Sequence, residues 1–526
     1  MIDEFYKSLK DYDISNILEK SVYQYQGFNN DEKLFSMYDD IINNNRKVLI
    51  HGDPDPDGVF ALKIQQGMFD RLNFSNYTLW KYNSRSHNME NEVVAHAIYN
   101  NYDYIIILDS SSNAMDDIRK LVKFGVKVIV IDHHQCDWDY SSYPEDCTII
   151  NCTMDNRLRR QDFYKLSAGA LTFCLVSEYL KRKERPYRDL SAYALVTLYS
   201  DCIDMTRDLN RGIYYMATGL AESVLPLCIR HFMERYSIFS RRFIEYTFVP
   251  KINALFRAER FDIINRYLLE TPDYNECINL VKTIKDNHVE TKKKLDTLTD
   301  IIQKENLNNL VIANLSSINI SINLDKLYNY TGLVANNISQ EFGKPCIVLC
   351  DNPKDGCIKG SFRDLLSRNY LPRFKQFCSA AGHGAAFGIK IPYSDYADFM
   401  RYVKNQIDKK FFILGVRDPI EINCGEEVPN DELIKLMAQY NEFSGVDVPI
   451  ALLTKKNNLQ AARGYNSSYQ YQYKWGQYMI KSKSRIIPGG LMKIKPVKTK
   501  SINLLAYNRN VLLWLINLCI MLVQTI

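Results

Sequence analysis

The chain contains no Cys-x-x-Cys pair; its 13 cysteines are scattered through 526 residues without regular spacing. That absence excludes a disulfide framework and leaves reduced thiols as the expectation. No signal peptide opens the sequence, so a cytoplasmic setting is expected. No apolar run reaches the roughly twenty residues needed to span a bilayer. The nearest, Val511 to Ile526, is broken by Asn517 and Gln524 and reads as a packed C-terminal helix rather than a tail anchor. Excess charge is scarce too. A formal net charge of +5 is small for this length, so any nucleic-acid partner has to be held by a local basic patch. What remains is a globular composition, 46% hydrophobic and 24% charged, with enough chain for about two to four domains.

The densest chemistry lies in His51-Gly52-Asp53-Pro54-Asp55-Pro56-Asp57-Gly58. The apolar run Lys47-Val48-Leu49-Ile50 precedes it and the helix-like Val59 to Ile64 follows, which predicts strand, loop and helix. In an open α/β sheet such a loop projects from the carboxyl end of a strand, where ligands bind. Alternate carboxylates repel one another, and a bound divalent cation is the usual reason they are tolerated. An Asp/Pro turn with an Asx cap on the next helix is the plainer reading. Two more strands end on ligand-type side chains: Tyr104 to Leu108 ends at Asp109, and Val126 to Ile131 ends at Asp132-His133-His134. Helical stretches between the strands predict a parallel sheet. A further helical stretch, Ala192 to Leu198, leads to Asp201. His51, Asp55, Asp57, Asp109, His133 and Asp201 together offer imidazole and carboxylate donors suited to manganese or magnesium in a two-metal site. Asp53 is open between ligand and outer support. The set contains no thiolate, which argues against structural zinc.

These elements resemble the four successive motifs of the DHH phosphoesterase superfamily: HGDPDPDG, the strand-end Asp109, the literal Asp132-His133-His134, and Asp201 in YSDCIDM. Within that superfamily the likeness is to the RecJ single-strand-specific exonucleases. Asn253-Ala254-Leu255-Phe256-Arg257, shortly after Pro250, resembles the family's Asn-Ala-x-x-Arg element. Gly332-Leu333-Val334-Ala335, Lys359-Gly360-Ser361-Phe362-Arg363 and Ala381-Gly382-His383-Gly384-Ala385-Ala386-Phe387-Gly388 resemble motifs of the DHH-associated domain. The resemblance covers most of residues 45–455, in order. Three positions depart from it. Ala381 and Phe256 stand where glycines are usual and Phe362 where a small residue is, each adding bulk where backbone could approach a phosphate.

The resemblance implies an α/β protein with a helical preamble over 1–45, where Ile14, Ile17 and Leu18 share a face, and a parallel-sheet DHH catalytic domain over 46–275. A linking helix over 276–305 would carry Lys292-Lys293-Lys294 and leave a cleft before a second α/β, DHH-associated domain over 306–412. A small β-barrel of the oligonucleotide-binding type over 413–502 completes it, and the apolar composition of 503–526 separately predicts a C-terminal helix that the resemblance does not account for. Tyr469, Tyr471, Tyr473 and Trp475 alternate on one strand face near Lys481, Lys483, Arg485, Lys493, Lys495, Lys498 and Lys500. Such faces commonly build cores, but rings beside cations also suit a single-strand groove.

The implied activity is hydrolysis of phosphodiester bonds in single-stranded DNA, 5′ to 3′, with two divalent ions, manganese preferred and magnesium as the alternative. His51, Asp53, Asp55, Asp57, Asp109, His133 and Asp201 would hold metal, with Asp57 or Asp109 shared between ions. His134, Asp132 and Asp57 would carry catalysis, Asp132 fixing an imidazole tautomer. Asn253, Arg257, Ser361, Arg363, Gly382 and His383 would bind substrate. Expected partners are single-stranded nucleic acid, with DNA favoured, and a single-strand-binding protein or helicase; a membrane is disfavoured, with the apolar C-terminal tail left open. A phosphodiesterase of cyclic dinucleotides or very short oligonucleotides is the rival reading. A silent replication scaffold is a lesser one, since a scaffold would be expected to lose ligands that are all present here.

Overall fold

A computed structural model describes residues 20–84, 91–154, 166–233, 238–270, 272–318, 324–352, 356–364, 370–408, 420–423, 429–443, 450–455, 460–462, 471–475, 478–482, 491–498 and 502–508. The chain divides into two compact units, one of Asn16–Asn287 and one that holds His288–Ile526.

The first unit is built on five strands: β1 (Val48–Gly52), β2 (Tyr77–Leu79), β3 (Tyr104–Leu108), β4 (Lys127–Asp132) and β5 (Cys147–Asn151). Their order is β2-β1-β3-β4-β5 and every pairing is parallel. β1, β3 and β5 are buried along their whole length, which is why none of them alternates apolar with polar residues. The longer helices are α1 (Asp31–Asn43), α2 (Pro56–Arg71), α3 (Asn91–Tyr99), α4 (Met115–Lys123), α5 (Ala168–Arg182), α6 (Ser191–Ser200), α7 (Asp208–Thr218) and α8 (Val249–Arg257). Val93, Val94 and Ala97 of α3 and Ile118 and Leu121 of α4 cover one face of the sheet, against Leu49, Ile105, Ile107, Val128 and Val130. Each such fully buried aliphatic side chain contributes about 1.5–3 kcal/mol.

Every residue of α6 is buried, so this helix has no polar face to show. It crosses α5 closely. A Cβ on Gly169 would stand 2.4 Å from Thr197 Cγ2, so only glycine allows the approach. Sequence periodicity places β1, β3 and β4 within a residue or two of where they lie, whereas β2 and β5 have no counterpart in it. Ile14, Ile17 and Leu18 lie outside the described residues. The helix found in the preamble window is α1, whose Tyr38 hydroxyl donates to Gln65 Oε1 of α2 at 2.8 Å.

The long helix α9 (Tyr274–Ile301) enters the second unit at His288. There β6 (Lys304–Asn306), β7 (Val311–Asn314), β8 (Cys346–Asn352), β9 (Cys357–Arg363), β10 (Ser379–His383) and β11 (Ala386–Pro392) form a sheet of order β10-β11-β9-β8-β7-β6. Only β7 and β8 pair in parallel. α10 (Thr331–Phe342) packs Leu333, Val334 and Ile338 on one face with Val311 and Val348, while Phe399 of α11 (Tyr396–Tyr402) joins Ile312, Ile347 and Phe362 on the other.

A third sheet comprises β12 (Ile420–Asn423), β13 (Ile450–Lys455), β14 (Gln460–Ala462), β15 (Tyr471–Trp475), β16 (Tyr478–Ser482), β17 (Leu491–Lys498) and β18 (Ile502–Asn508), with α12 (Asp431–Phe443) between β12 and β13. It is mixed, in the order β12-β13-β17-β18-β16-β15-β14. One expectation is not met here and another is corrected. A closed barrel of the oligonucleotide-binding type is not found among the described residues, because strands so ordered leave β12 and β14 as edges rather than partners. Residues 502–508 are strand, so the expected C-terminal helix does not begin at 503: β18 completes its backbone bonding against β17 over seven register positions. Val511 to Ile526 and Tyr469 lie outside the described residues. Among the described residues no helix is long and apolar enough to cross a membrane, and the cysteines are free.

Candidate metal centre

The ends of β1, β3 and β4 deliver their side chains to one place because the strands are adjacent and parallel. At the end of β1 the chain turns tightly. A Cβ on Gly58 would lie 2.4 Å from the backbone N and O of Asp53, and one on Gly52 would lie 2.6 Å from the Gly58 carbonyl oxygen, so both positions require glycine. Asp55 then caps α2, its Oδ1 accepting the Gly58 N–H at 3.0 Å, and Pro56 takes the first helical position, where a missing N–H costs nothing. The Asx-cap reading of this loop is therefore correct for Asp55, and it coexists with the ligand reading because the cap uses only one of the two carboxylate oxygens.

Asp57, in the first turn of α2, is fully buried. Its Oδ2 accepts the Ala168 N–H at 2.7 Å and its Oδ1 the Gly169 N–H at 2.8 Å, so the N-terminus of α5 grips it with two charge-assisted bonds. Asp109 follows β3 with φ 64°, a left-handed conformation uncommon for a residue other than glycine and a form of strain that concentrates at functional sites. Asp201 ends α6, where Cys202 at φ 53° turns the chain away.

His133 ties the set together. Its Nε2 lies 3.1 Å from Asp201 Oδ2, 3.3 Å from Asp109 Oδ1 and 3.7 Å from Asp57 Oδ2. Three overlapping groups result, Asp57–His133–Asp201, Asp109–His133–His134 and Asp53–Asp55–Asp109, each with donor atoms within 4.8 Å of one another. Asp132 belongs to none of them. Its Oδ1 accepts from the backbone of His133 at 2.7 Å and from His134 Nδ1 at 2.8 Å, and its Oδ2 accepts the Ser112 N–H at 3.2 Å. His51 is also outside the three groups; its Nδ1 is buried without a hydrogen-bond partner among the described residues.

The electrostatics follow from this crowding. Burial, and then the charge of Asp201, pushes the Asp57 carboxyl well above its ordinary range; burial and the charge of Asp57 do the same to Asp109. Burial lowers the His51 imidazole to about 4, keeping it in the neutral form that ligates metals. Burial alone would lower His134, but the charge and hydrogen bond of Asp132 outweigh it and raise it to about 10. Buried acids set against one another are what a divalent cation relieves, and imidazole with carboxylate is a donor set for manganese or magnesium.

Sequence reasoning missed the supports. Asn151, at the end of β5 and 1% exposed, donates through Nδ2 to the His134 carbonyl and to Ser112 Oγ, each at 2.9 Å. It thereby laces the loop after β4 to the loop after β3. The Ser112 carbonyl accepts the Tyr143 hydroxyl at 2.6 Å. A serine before small residues, Ser167-Ala168-Gly169, is a legible cap signal for α5, but nothing local says which carboxylate its N–H groups meet.

Of the expected substrate residues, Asn253 and Arg257 lie half-buried on α8 in the first unit. Ser361 and Arg363 alternate on β9 in the second, and Gly382 and His383 end β10, Gly382 at φ 132°. Arg363 donates to the carbonyls of Phe362 at 2.7 Å and Phe387 at 3.4 Å and pairs with no carboxylate among the described residues; burial pulls its guanidinium down to about 10. Gly332 makes room for it, since a Cβ there would stand 2.7 Å from Arg363 Nη2. The bulky departures point elsewhere. Phe362 is buried in a cluster with Tyr370, Phe374 and Phe387, and Phe256 packs edge-on to Tyr82 with ring centroids 5.6 Å apart. Both fill core rather than the space expected for a phosphate.

Residues 47–198 match the DHH family, N-terminal domain. The chain is 25% identical over 484 residues to a putative SPbeta prophage-derived single-strand DNA-specific exonuclease, YorK, of Bacillus subtilis, covering 84% of this chain and 79% of that one. Its fold is similar to RecJ of Thermus thermophilus in complex with Mn2+, with a TM-score of 0.73, 15% identity and coverage of 93% of this chain and 72% of the other. The Mg2+ complex of the same protein gives a TM-score of 0.65 at 14% identity, over 93% and 71%.

Proposed function

We propose that this chain, whose residues 47–198 match the DHH family, N-terminal domain, is a metal-dependent exonuclease that hydrolyses phosphodiester bonds of single-stranded DNA from the 5′ end. The observation that carries the reading is the meeting of three overlapping carboxylate and imidazole groups through His133 and Asp109. Asp57, Asp109, His133 and Asp201 would hold one ion, and Asp53, Asp55 and Asp109 a second, with His51 as a further donor. Bound divalent ions supply hydroxide at neutral pH and neutralise charge on phosphoryl oxygens. The chain's own residues do the rest. The α5 N-terminus fixes Asp57 so that its remaining lone pairs face the cluster. Asp132 occupies Nδ1 of His134 and so orients that partly exposed ring to deliver a proton to the leaving oxygen. In the first unit Arg257, with Asn253, and in the second unit Arg363, with Ser361, Gly382 and His383, would each bind phosphate, the arginines through paired donors.

The test is one assay in which purified protein and Mn2+ meet end-labelled single strands, duplexes and cyclic dinucleotides side by side. Release of mononucleotides from 5′-labelled single strands is expected. Cleavage of dinucleotides with long strands untouched would overturn the reading in favour of a small-substrate phosphodiesterase.

A further inference from the structure

We infer that Tyr82 is a positioning residue for the metal loop, held in place by Asn265, an inference that rests on the metal reading of that loop. Tyr82 lies just beyond β2, 4% exposed, and its hydroxyl donates to the Asp53 carbonyl at 3.2 Å. The same carbonyl accepts the Asp55 N–H at 2.9 Å, while the Asp53 N–H donates to the Leu108 carbonyl at 3.1 Å. Both lone pairs of that oxygen are thus used and the peptide is held from two sides. With Pro54 and Pro56 fixing their own φ on either side of Asp55, few backbone torsions between Asp53 and Asp55 stay free once the Asp53 carbonyl is held. Room for the hydroxyl is provided by Gly52, where a Cβ would lie 3.2 Å from it.

Tyr82 is itself clamped. The Asn265 side chain accepts the Tyr82 N–H at 2.9 Å and donates to the Tyr82 carbonyl at 2.8 Å, the pairing a neighbouring strand would give. Asn265 begins a turn, Asn265–Leu269, closed by an i to i+5 bond from the Glu270 N–H to the Asn265 carbonyl at 2.9 Å. Such wide turns are rare inside helices and are frequent at functional sites. The Tyr82 ring meets Phe256, the neighbour of Arg257, at 85° between planes. Tyr82 thus joins the metal loop and the helix that carries a proposed phosphate ligand through its side chain, and the wide turn through its backbone.

The experiment is calorimetric titration of Mn2+ into the full chain and into Tyr82→Phe, Asn265→Ala and the double variant, with hydrolysis measured in parallel. Tyr82→Phe keeps the ring and removes one hydrogen bond, so Mn2+ affinity is expected to fall about five- to tenfold with a melting temperature in EDTA lowered by no more than a few degrees. Asn265→Ala should weaken binding similarly, and the double variant should bind no more weakly than the poorer single one, because both act through one link. Tyr82→Phe binding Mn2+ as tightly as wild type overturns the inference, whether or not Asn265→Ala folds. Since the readout is metal binding, wild-type protein that binds Mn2+ yet digests no single strand sinks the exonuclease reading alone. Wild-type protein that binds no Mn2+ overturns the inference together with the metal reading.

Discussion

Nε2 of His133 stands 3.1 Å from Oδ2 of Asp201, joining the end of β4 to the end of α6. Neither side chain is a core filler, so removing either should leave the fold and take the chemistry. His133→Ala and Asp201→Asn are each expected to lower turnover on single-stranded DNA about a hundredfold or more at saturating Mn2+. Near-wild-type turnover by either purified variant would count against the shared site.

Asp109 is a buried carboxylate facing other carboxylates, and asparagine tolerates its left-handed backbone. In EDTA, Asp109→Asn should therefore melt higher than wild type, by about 1 kcal/mol of relieved repulsion. With Mn2+ the order should reverse, because wild type alone gains about 2.7 kcal/mol at a hundred times its dissociation constant. A variant that is less stable in EDTA and still stabilised by Mn2+ would show that Asp109 is not a ligand.

Asn151 offers its two N–H donors to the His134 carbonyl and Ser112 Oγ. Asn151→Asp keeps the shape but sets an oxygen against the His134 carbonyl. Turnover should fall about tenfold with KM for DNA little changed, since the residue orients the site without touching substrate. A fall in melting temperature with unaltered turnover of the folded protein would assign it a purely structural role.

Tyr471, Tyr473 and Trp475 fall at alternate register positions of β15, opposite Ser482, Ile480 and Tyr478 of β16. If they are base platforms, Tyr473→Ala with Trp475→Ala should weaken binding of long single strands at least about tenfold, as stacking contributes roughly 1–3 kcal/mol per base. Dinucleotide hydrolysis should be nearly unchanged. Equal losses on both substrates, or none on long strands, would remove this strand from the binding surface.

Apolar runs ending in Asp109 and in Asp132-His133-His134 are local patterns, and parallel strands must present such ends together, so the parallel sheet and the gathering of these side chains at its edge were legible in the sequence. The same locality explains what stayed hidden. That Asp57 is gripped by Ala168 and Gly169, that Asn151 laces two ligand loops, and that Asn265 clamps Tyr82 are hydrogen bonds between residues far apart in the chain. A side-chain amide meeting a distant backbone leaves no periodicity behind. The third sheet was illegible for a related reason: strand order and edge closure depend on which distant strands pair, and alternation within one strand is the same in a barrel and in an open mixed sheet. The candidate donors were written in the strand ends, and their mutual placement was set by the long-range contacts behind them.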